Sequence, residues 1–154
     1  MTFGERHEKC VVDLRGLDVI GATRIGPILI VDDDDDGREM LAEYFSAQGY
    51  RTIAINEPRM ALTLCRDVAP AIVLVDLSLP TLDAACQLIQ EIKNAEGGVS
   101  PYIIGLNGWG FVQQASRALA MGCSLVIAKP LDLHLLSAAV TVGMATNVGA
   151  CCAA

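Results

Sequence analysis

The chain has 154 residues, 53% of them hydrophobic and 19% charged, with a formal net charge of -7. That length suits one ordinary domain and not two, and that hydrophobic content excludes a chain too polar to bury a core. Asp32–Asp36 supply five of the eighteen acids, so the acidity is local; it points to a metal or a helix cap and argues against direct contact with nucleic acid.

Residues 1–25 hold no sustained hydrophobic period and read as an extension, with a short strand at Cys10–Leu14. From Gly26 the pattern changes. Ile28–Val31 is a continuous apolar run that stops at acids, as a strand buried on both faces does. Arg38–Gln48 has apolar residues at helical spacing and closes on Gly49. Arg51–Ile55 is the next strand, after which Asn56 caps a helix with Pro58 in its first turn. Ala71–Val75 is a third strand and Thr81–Ala95 a third helix, stopped by Gly97 and Gly98. Tyr102–Leu106 and Leu125–Ala128 are the fourth and fifth strands, separated by a helix over Phe111–Met121. A final helix runs over Leu131–Asn147, so the folded unit spans residues 26–148 and residues 149–154 are a tail.

Five β-α units in strict alternation predict an α/β fold, a doubly wound parallel sheet covered by helices on both faces. In such a fold the site lies at the carboxyl ends of the strands. The first strand ends at Asp32-Asp33, the third at Asp76 and the fifth at Lys129. Three carboxylates at one rim repel one another, and a hard divalent cation relieves that repulsion. Mg²⁺ suits carboxylate oxygens together with a phosphate oxygen, and a lysine ammonium suits a phosphoryl oxygen. A carboxylate nucleophile, a metal and a lysine are the components of phosphoryl transfer to an aspartate.

The strings "ILIVDDD", "IVLVDLSLPTLDA" and "VIAKPLD" resemble the three signatures of the response-regulator receiver domains of bacterial two-component systems. The resemblance covers about residues 26–148 and implies a flavodoxin-like (βα)5 fold with strand order 2-1-3-4-5. It implies Asp76 as phospho-acceptor and Lys129 as the contact to the phosphoryl group. Asp33, Asp76 and the backbone carbonyl of Ser78 would ligate Mg²⁺ directly, and Asp32 through water. The Lys129-Pro130 bond would be cis. Three positions depart from the pattern. Asn107 stands where the family usually has a Thr or Ser hydroxyl, and its amide can still donate a hydrogen bond. Val126 stands where the family often has a Tyr or Phe that swings inward on activation. Ala84 replaces a Gly.

The partners implied are a sensor histidine kinase or a histidine phosphotransfer protein on the input side and a protein target on the output side, with no direct DNA binding. The resemblance describes a phosphoryl acceptor that promotes its own transfer and autodephosphorylation rather than an enzyme. A second reading is a pseudo-receiver, a constitutive interaction module locked by Asn107 and Val126. A small Mg²⁺-dependent phosphohydrolase is a third, lacking the D-x-D arrangement and cap insertion expected of one.

Other features take plainer readings. The six cysteines (Cys10, Cys65, Cys86, Cys123, Cys151, Cys152) lack C-x-x-C spacing, and no charged segment followed by an apolar one opens the chain, so a reduced cytoplasmic protein is expected. Nothing reaches the eighteen uninterrupted apolar residues of a membrane span. Cys151-Cys152-Ala-Ala matches a prenylation box as four residues do by chance. Asp34–Asp36 suit a helix N-terminus. His7 reads as a tail residue and His134 as a surface residue, while Trp109, between Gly108 and Gly110, is expected at the pocket mouth. The last helix carries Asp132 as its one full charge, and its apolar residues wrap round more than one face, so either the N-terminal extension covers it or it forms a homodimer, the reading favoured here.

Overall fold

The computed structural model describes residues 11–12, 19–20, 26–95, 100–108 and 112–153, with 11–12, 19–20 and 148–153 described as backbone. Strands β1 (Val11–Val12) and β2 (Val19–Ile20) pair antiparallel, with Val11 opposite Ile20. β1 lies inside the expected Cys10–Leu14 strand, and β2 lies where the sequence shows no strand period.

The main unit alternates strand and helix: β3 (Ile28–Val31), α1 (Asp35–Ala47), β4 (Thr52–Ile55), α2 (Pro58–Val68), β5 (Ile72–Asp76), α3 (Leu82–Asn94), β6 (Tyr102–Asn107), α4 (Val112–Met121), β7 (Leu125–Ala128) and α5 (Leu133–Ala153). The strands are parallel in the order β4-β3-β5-β6-β7, the 2-1-3-4-5 arrangement expected from the sequence. The fold is the flavodoxin-like doubly wound sheet.

Strand periodicity divides the core in two. Ile28, Ile30, Ile72, Leu74, Ile104 and Leu106 pack with Leu41 and Phe45 of α1 and Leu136, Val140 and Met144 of α5. Leu29, Val31, Val73, Val75 and Ile103 face the other way, onto α2, α3 and α4 through Ala61, Ile89, Ile92 and Ala118. Every residue of β3 and β5 is buried, which is why both read as unbroken apolar runs rather than alternating ones.

Helix ends correct several expected boundaries. α1 starts at Asp35, not Arg38, because the Asp34 carboxylate accepts the Gly37 N–H at 2.8 Å and the acids of its first turn suit a helix N-terminus. α2 is capped by the backbone of Glu57, not by Asn56, with Pro58 in its first turn as expected. α5 starts at Leu133, where the Asp132 carboxylate accepts the N–H groups of His134 and Leu135 at 2.9 and 3.1 Å. It then continues to Ala153, through most of the stretch expected as a tail.

α5 lies close to the sheet at Gly143, where a Cβ would stand 2.5 Å from Ile72 Cδ1 and 2.7 Å from the Tyr102 ring. It is tied to α1 by Tyr44 Oη donating to the Leu133 carbonyl (3.2 Å) and Ser137 Oγ donating to Gln48 Oε1 (2.9 Å). Near its far end Asn147 Nδ2 donates to the carbonyl of Ala71, just before β5 begins. Its outer side leaves Leu135 and Val142 more than half exposed. Among the described residues no helix is long and apolar enough to cross a membrane.

Candidate functional site

All six of the sequence-predicted site residues, Asp32, Asp33, Asp76, Ser78, Asn107 and Lys129, lie at the carboxyl rim of the sheet. Asp32 follows β3 and its N–H continues the ladder to Ile55 O of β4 (3.1 Å). Its Oδ1 accepts the Asp34 N–H at 2.9 Å. Asp76 is the last residue of β5 and Asn107 the last of β6; Asp32, Asp76 and Asn107 are the buried polar side chains of the described core. Lys129 follows β7, and its N–H donates to the Asn107 carbonyl at 2.6 Å, joining the ends of β6 and β7. The Lys129-Pro130 bond is cis.

The loop after β5 shows how sequence aims a side chain. Leu77 and Leu79 are buried against α3, and the Leu77 N–H donates to Leu106 O at 2.9 Å. The alternation turns Ser78 back towards the rim, where both its N–H (2.9 Å) and its Oγ (2.7 Å) donate to Asp76 Oδ1. The other carboxylate oxygen, Oδ2, accepts from Lys129 Nζ at 2.9 Å. Both oxygens of Asp76 therefore have strong donors.

Carboxylate oxygens of Asp32, Asp33 and Asp76 all lie within 4.8 Å of one another, with Asp32 and Asp76 buried and Asp33 exposed. Burial pushes the Asp32 carboxyl up to about 6; the Asp34 N–H opposes this and the Asp76 charge adds to it. Burial acts in the same direction on Asp76, but the Ser78 amide and hydroxyl and the Lys129 ammonium outweigh it and hold that carboxyl below its ordinary value. Burial lowers Lys129, but its hydrogen bond to Asp76 and the charges of Asp76, Asp32 and Asp34 leave it raised. Asp76 is thus held ionised beside the Lys129 cation, and Asp32 is the carboxyl that resists ionisation. A donor set of hard oxygens whose second carboxylate resists ionisation fits a hard divalent cation such as Mg²⁺.

Other predicted positions lie apart from the cluster. Val126 is half-buried on β7, packed towards α2–α4. Ala84 is helical with ordinary φ, its N–H donating to Thr81 Oγ1 at 3.2 Å, so no glycine is required there. His134 is exposed in the first turn of α5. Cys86 and Cys123 are buried, and burial pushes the Cys123 thiol up to about 12 and Cys65 to about 11. Trp109 and His7 lie outside the described residues.

Two contacts are invisible to motif reading. One is the pair of Ser78 donors to Asp76; the sequence directed attention to the Ser78 carbonyl. The other is Arg38, whose Nη1 donates to the Asp32 carbonyl at 2.9 Å while Nη2 pairs with the Asp35 carboxylate. Its signal was a lone cation directly after five acids and a glycine.

The family model of the response regulator receiver domain matches residues 28–141. The chain belongs to this family. Receiver domains are phosphoryl acceptors of two-component signalling with an Mg²⁺-binding acidic pocket, and this receiver carries the acidic cluster at the corresponding rim. It is 36% identical over 115 residues to the regulatory protein AtoC of Escherichia coli, covering 75% of this chain but 24% of AtoC. It is 27% identical over 113 residues to sporulation initiation phosphotransferase F of Bacillus subtilis, covering 73% of this chain and 89% of that protein. The receiver domain of NtrX from Brucella abortus superposes with a TM-score of 0.70 at 27% identity, over 77% of this chain and 98% of that one.

Proposed function

We propose that this receiver takes a phosphoryl group on Asp76 from a phosphohistidine of a sensor histidine kinase or a histidine phosphotransfer protein, in the cytoplasm. The observation that carries the proposal is the rim itself: Asp76 bound by Lys129 at 2.9 Å, with Asp32 and Asp33 within 4.8 Å. An oxygen of Asp76 attacks phosphorus, an O–P bond forms and the N–P bond breaks. The imidazole nitrogen keeps the electron pair. Asp76 is kept ionised for this by Ser78 and Lys129. Lys129, already at the carboxylate, provides the charge that receives a phosphoryl oxygen. Asp33, Asp76 and the Ser78 carbonyl would hold Mg²⁺ directly and Asp32 through water. Bound there, the metal would neutralise charge on the transferring group. Asn107, buried at the end of β6, would donate from its amide to the phosphoryl group. Autodephosphorylation ends the signal.

The receiver would extend over residues 26–148, and the signal would leave through contact with a protein target rather than DNA. Leu135 and Val142, exposed on α5, support a homodimer through that helix. The test is intact mass after incubation with acetyl phosphate and Mg²⁺. Wild type gains one phosphoryl group and Asp76→Ala gains none; a wild type that binds Mg²⁺ without gaining it overturns the proposal.

Asn107 and Val126 favour a second reading, a pseudo-receiver whose site fills without moving the output face. Mg²⁺ with beryllofluoride distinguishes the two by amide shifts. Changes confined to the rim support the pseudo-receiver, and changes reaching α4, β7 and α5 support a working switch.

A further inference from the structure

Five consecutive aspartates pose a problem of register. Slide the loop by one residue and another aspartate stands where Asp32 stood, with the same side chain. The Asp32 N–H to Ile55 O bond and the Asp34 cap on Gly37 can each be remade by a neighbour of identical chemistry. A metal site needs one particular pair turned inward, so something other than aspartate must fix the run.

We propose that Arg38 is that residue: it positions the metal-binding aspartates by clamping the backbone of Asp32 and the side chain of Asp35 with one guanidinium. The inference rests on the receiver reading of the site. Nη1 reaches six residues back to the Asp32 carbonyl at 2.9 Å, and Nη2 pairs with Asp35 in the first turn of α1. The side chain is mostly buried, 14% exposed, unlike Asp35 at 76%, so the clamp is anchored at the arginine end. It takes the carbonyl of Asp32 and leaves the carboxylate to face Asp76. It also draws Asp35 away from the cluster, while Asp34 is engaged as the helix cap. Gly37 completes the arrangement: a Cβ there would lie 2.7 Å from Asp34 Oδ2 and 3.6 Å from Asp32 Oδ2, crowding the same turn. The run is thereby divided, with Asp32 and Asp33 towards Asp76 and Asp34 and Asp35 committed to the helix. A planar guanidinium holds both acceptors in one fixed geometry, whereas an ammonium is a point charge on a flexible stem.

The test turns on a sign. As a mere charge, Arg38 opposes a cation at the rim, and removing it strengthens Mg²⁺ binding. As a positioning residue its removal weakens binding, roughly tenfold, as loss of outer-shell partners does. Titrate Mg²⁺ alone into wild type, Arg38→Ala and Arg38→Lys by calorimetry, below the unfolding temperature of each protein measured in chelator. Weaker binding in Arg38→Ala and in the charge-preserving Arg38→Lys is the expected result. Should Arg38→Ala fail to fold, Arg38→Lys alone decides. Affinity unchanged or raised overturns the clamp, while wild type still binds Mg²⁺ and takes a phosphoryl group from acetyl phosphate. If wild type itself neither binds Mg²⁺ nor is phosphorylated, the receiver reading falls and the clamp falls with it.

Discussion

The carboxyl rim of the sheet and the outer side of α5 are built from opposite materials. At the rim, buried carboxylates are each assigned a donor: Asp34 N–H for Asp32, Ser78 and Lys129 for Asp76. On α5 the outward side chains include Leu135 and Val142, with no charge from Leu133 onward. Directional bonds make the rim sensitive to single atoms, whereas an apolar surface tolerates change until something must bind it. On the proposed function, the difference would separate chemistry, fixed by geometry at the rim, from output, fixed by which surface meets a partner.

The largest effect is expected at Lys129. Lys129→Met leaves the Asp76 carboxylate, 4% exposed, without its ammonium. Phosphoryl uptake from acetyl phosphate should slow roughly a hundredfold. Because Lys129 is itself about a third exposed, the stability loss is limited to about 1–3 kcal/mol. Time-resolved intact mass and urea unfolding read the two; an unchanged uptake rate removes Lys129 from the site.

On the inner side of α5, Gly143→Val drives side-chain atoms into Ile72 and Tyr102 and should cost about 2 kcal/mol, measured by denaturant melts. Equal stability in that variant means the helix can stand off from the sheet.

Asp32→Asn should do the reverse and stabilise the metal-free protein at pH 7–8 by about 1–2 kcal/mol. The sign follows from the raised carboxyl. Its folded value of about 6 lies above the ordinary 3.8, so its contribution to stability is fully present below 3.8 and lost as pH rises through about 6. Ionised Asp32 is therefore a cost at neutral pH that asparagine avoids, and the advantage should vanish below about pH 4. In the same way apparent Mg²⁺ affinity should fall as pH drops through about 6. A variant less stable than wild type at pH 8 in chelator would contradict the charge crowding.

The smallest effect on the fold is expected outside α5. Val142→Asp should leave stability within about 0.5 kcal/mol yet abolish self-association in sedimentation runs. If wild type stays monomeric at high concentration, α5 has another partner or none.

Most of the fold was legible in the hydrophobic pattern: burial on both faces writes β3 as an unbroken apolar run of the expected span, and the half-buried edge strand β7 matches its span too. Alternation predicted the parallel sheet, and the strand order came with the resemblance to receiver domains. Boundaries failed where a cap outside the apolar pattern decided them, as at Asp34 and Asp132. The rim residues were legible as types at strand ends. Their hydrogen bonds were not, since Arg38 acts on a backbone carbonyl and Ser78 through its own N–H and hydroxyl, neither of which changes the hydrophobic pattern. Nor could the apolar content of the last helix show which of its residues would stay outside.

Asn147 bonds to Ala71 where the sheet begins, so residues 148–153 carry α5 about 9 Å further, at 1.5 Å per residue. The helix starts beside the acceptor rim and overshoots the opposite edge. Its last described side-chain tie to the sheet is the Asn147 bond to Ala71. A tilt of about 5° at Gly143 over the ~15 Å that follow moves the tip by about 1 Å, the scale on which packed interfaces change partners. Spin labels on α1 and beyond residue 148 would read that arc, with and without beryllofluoride.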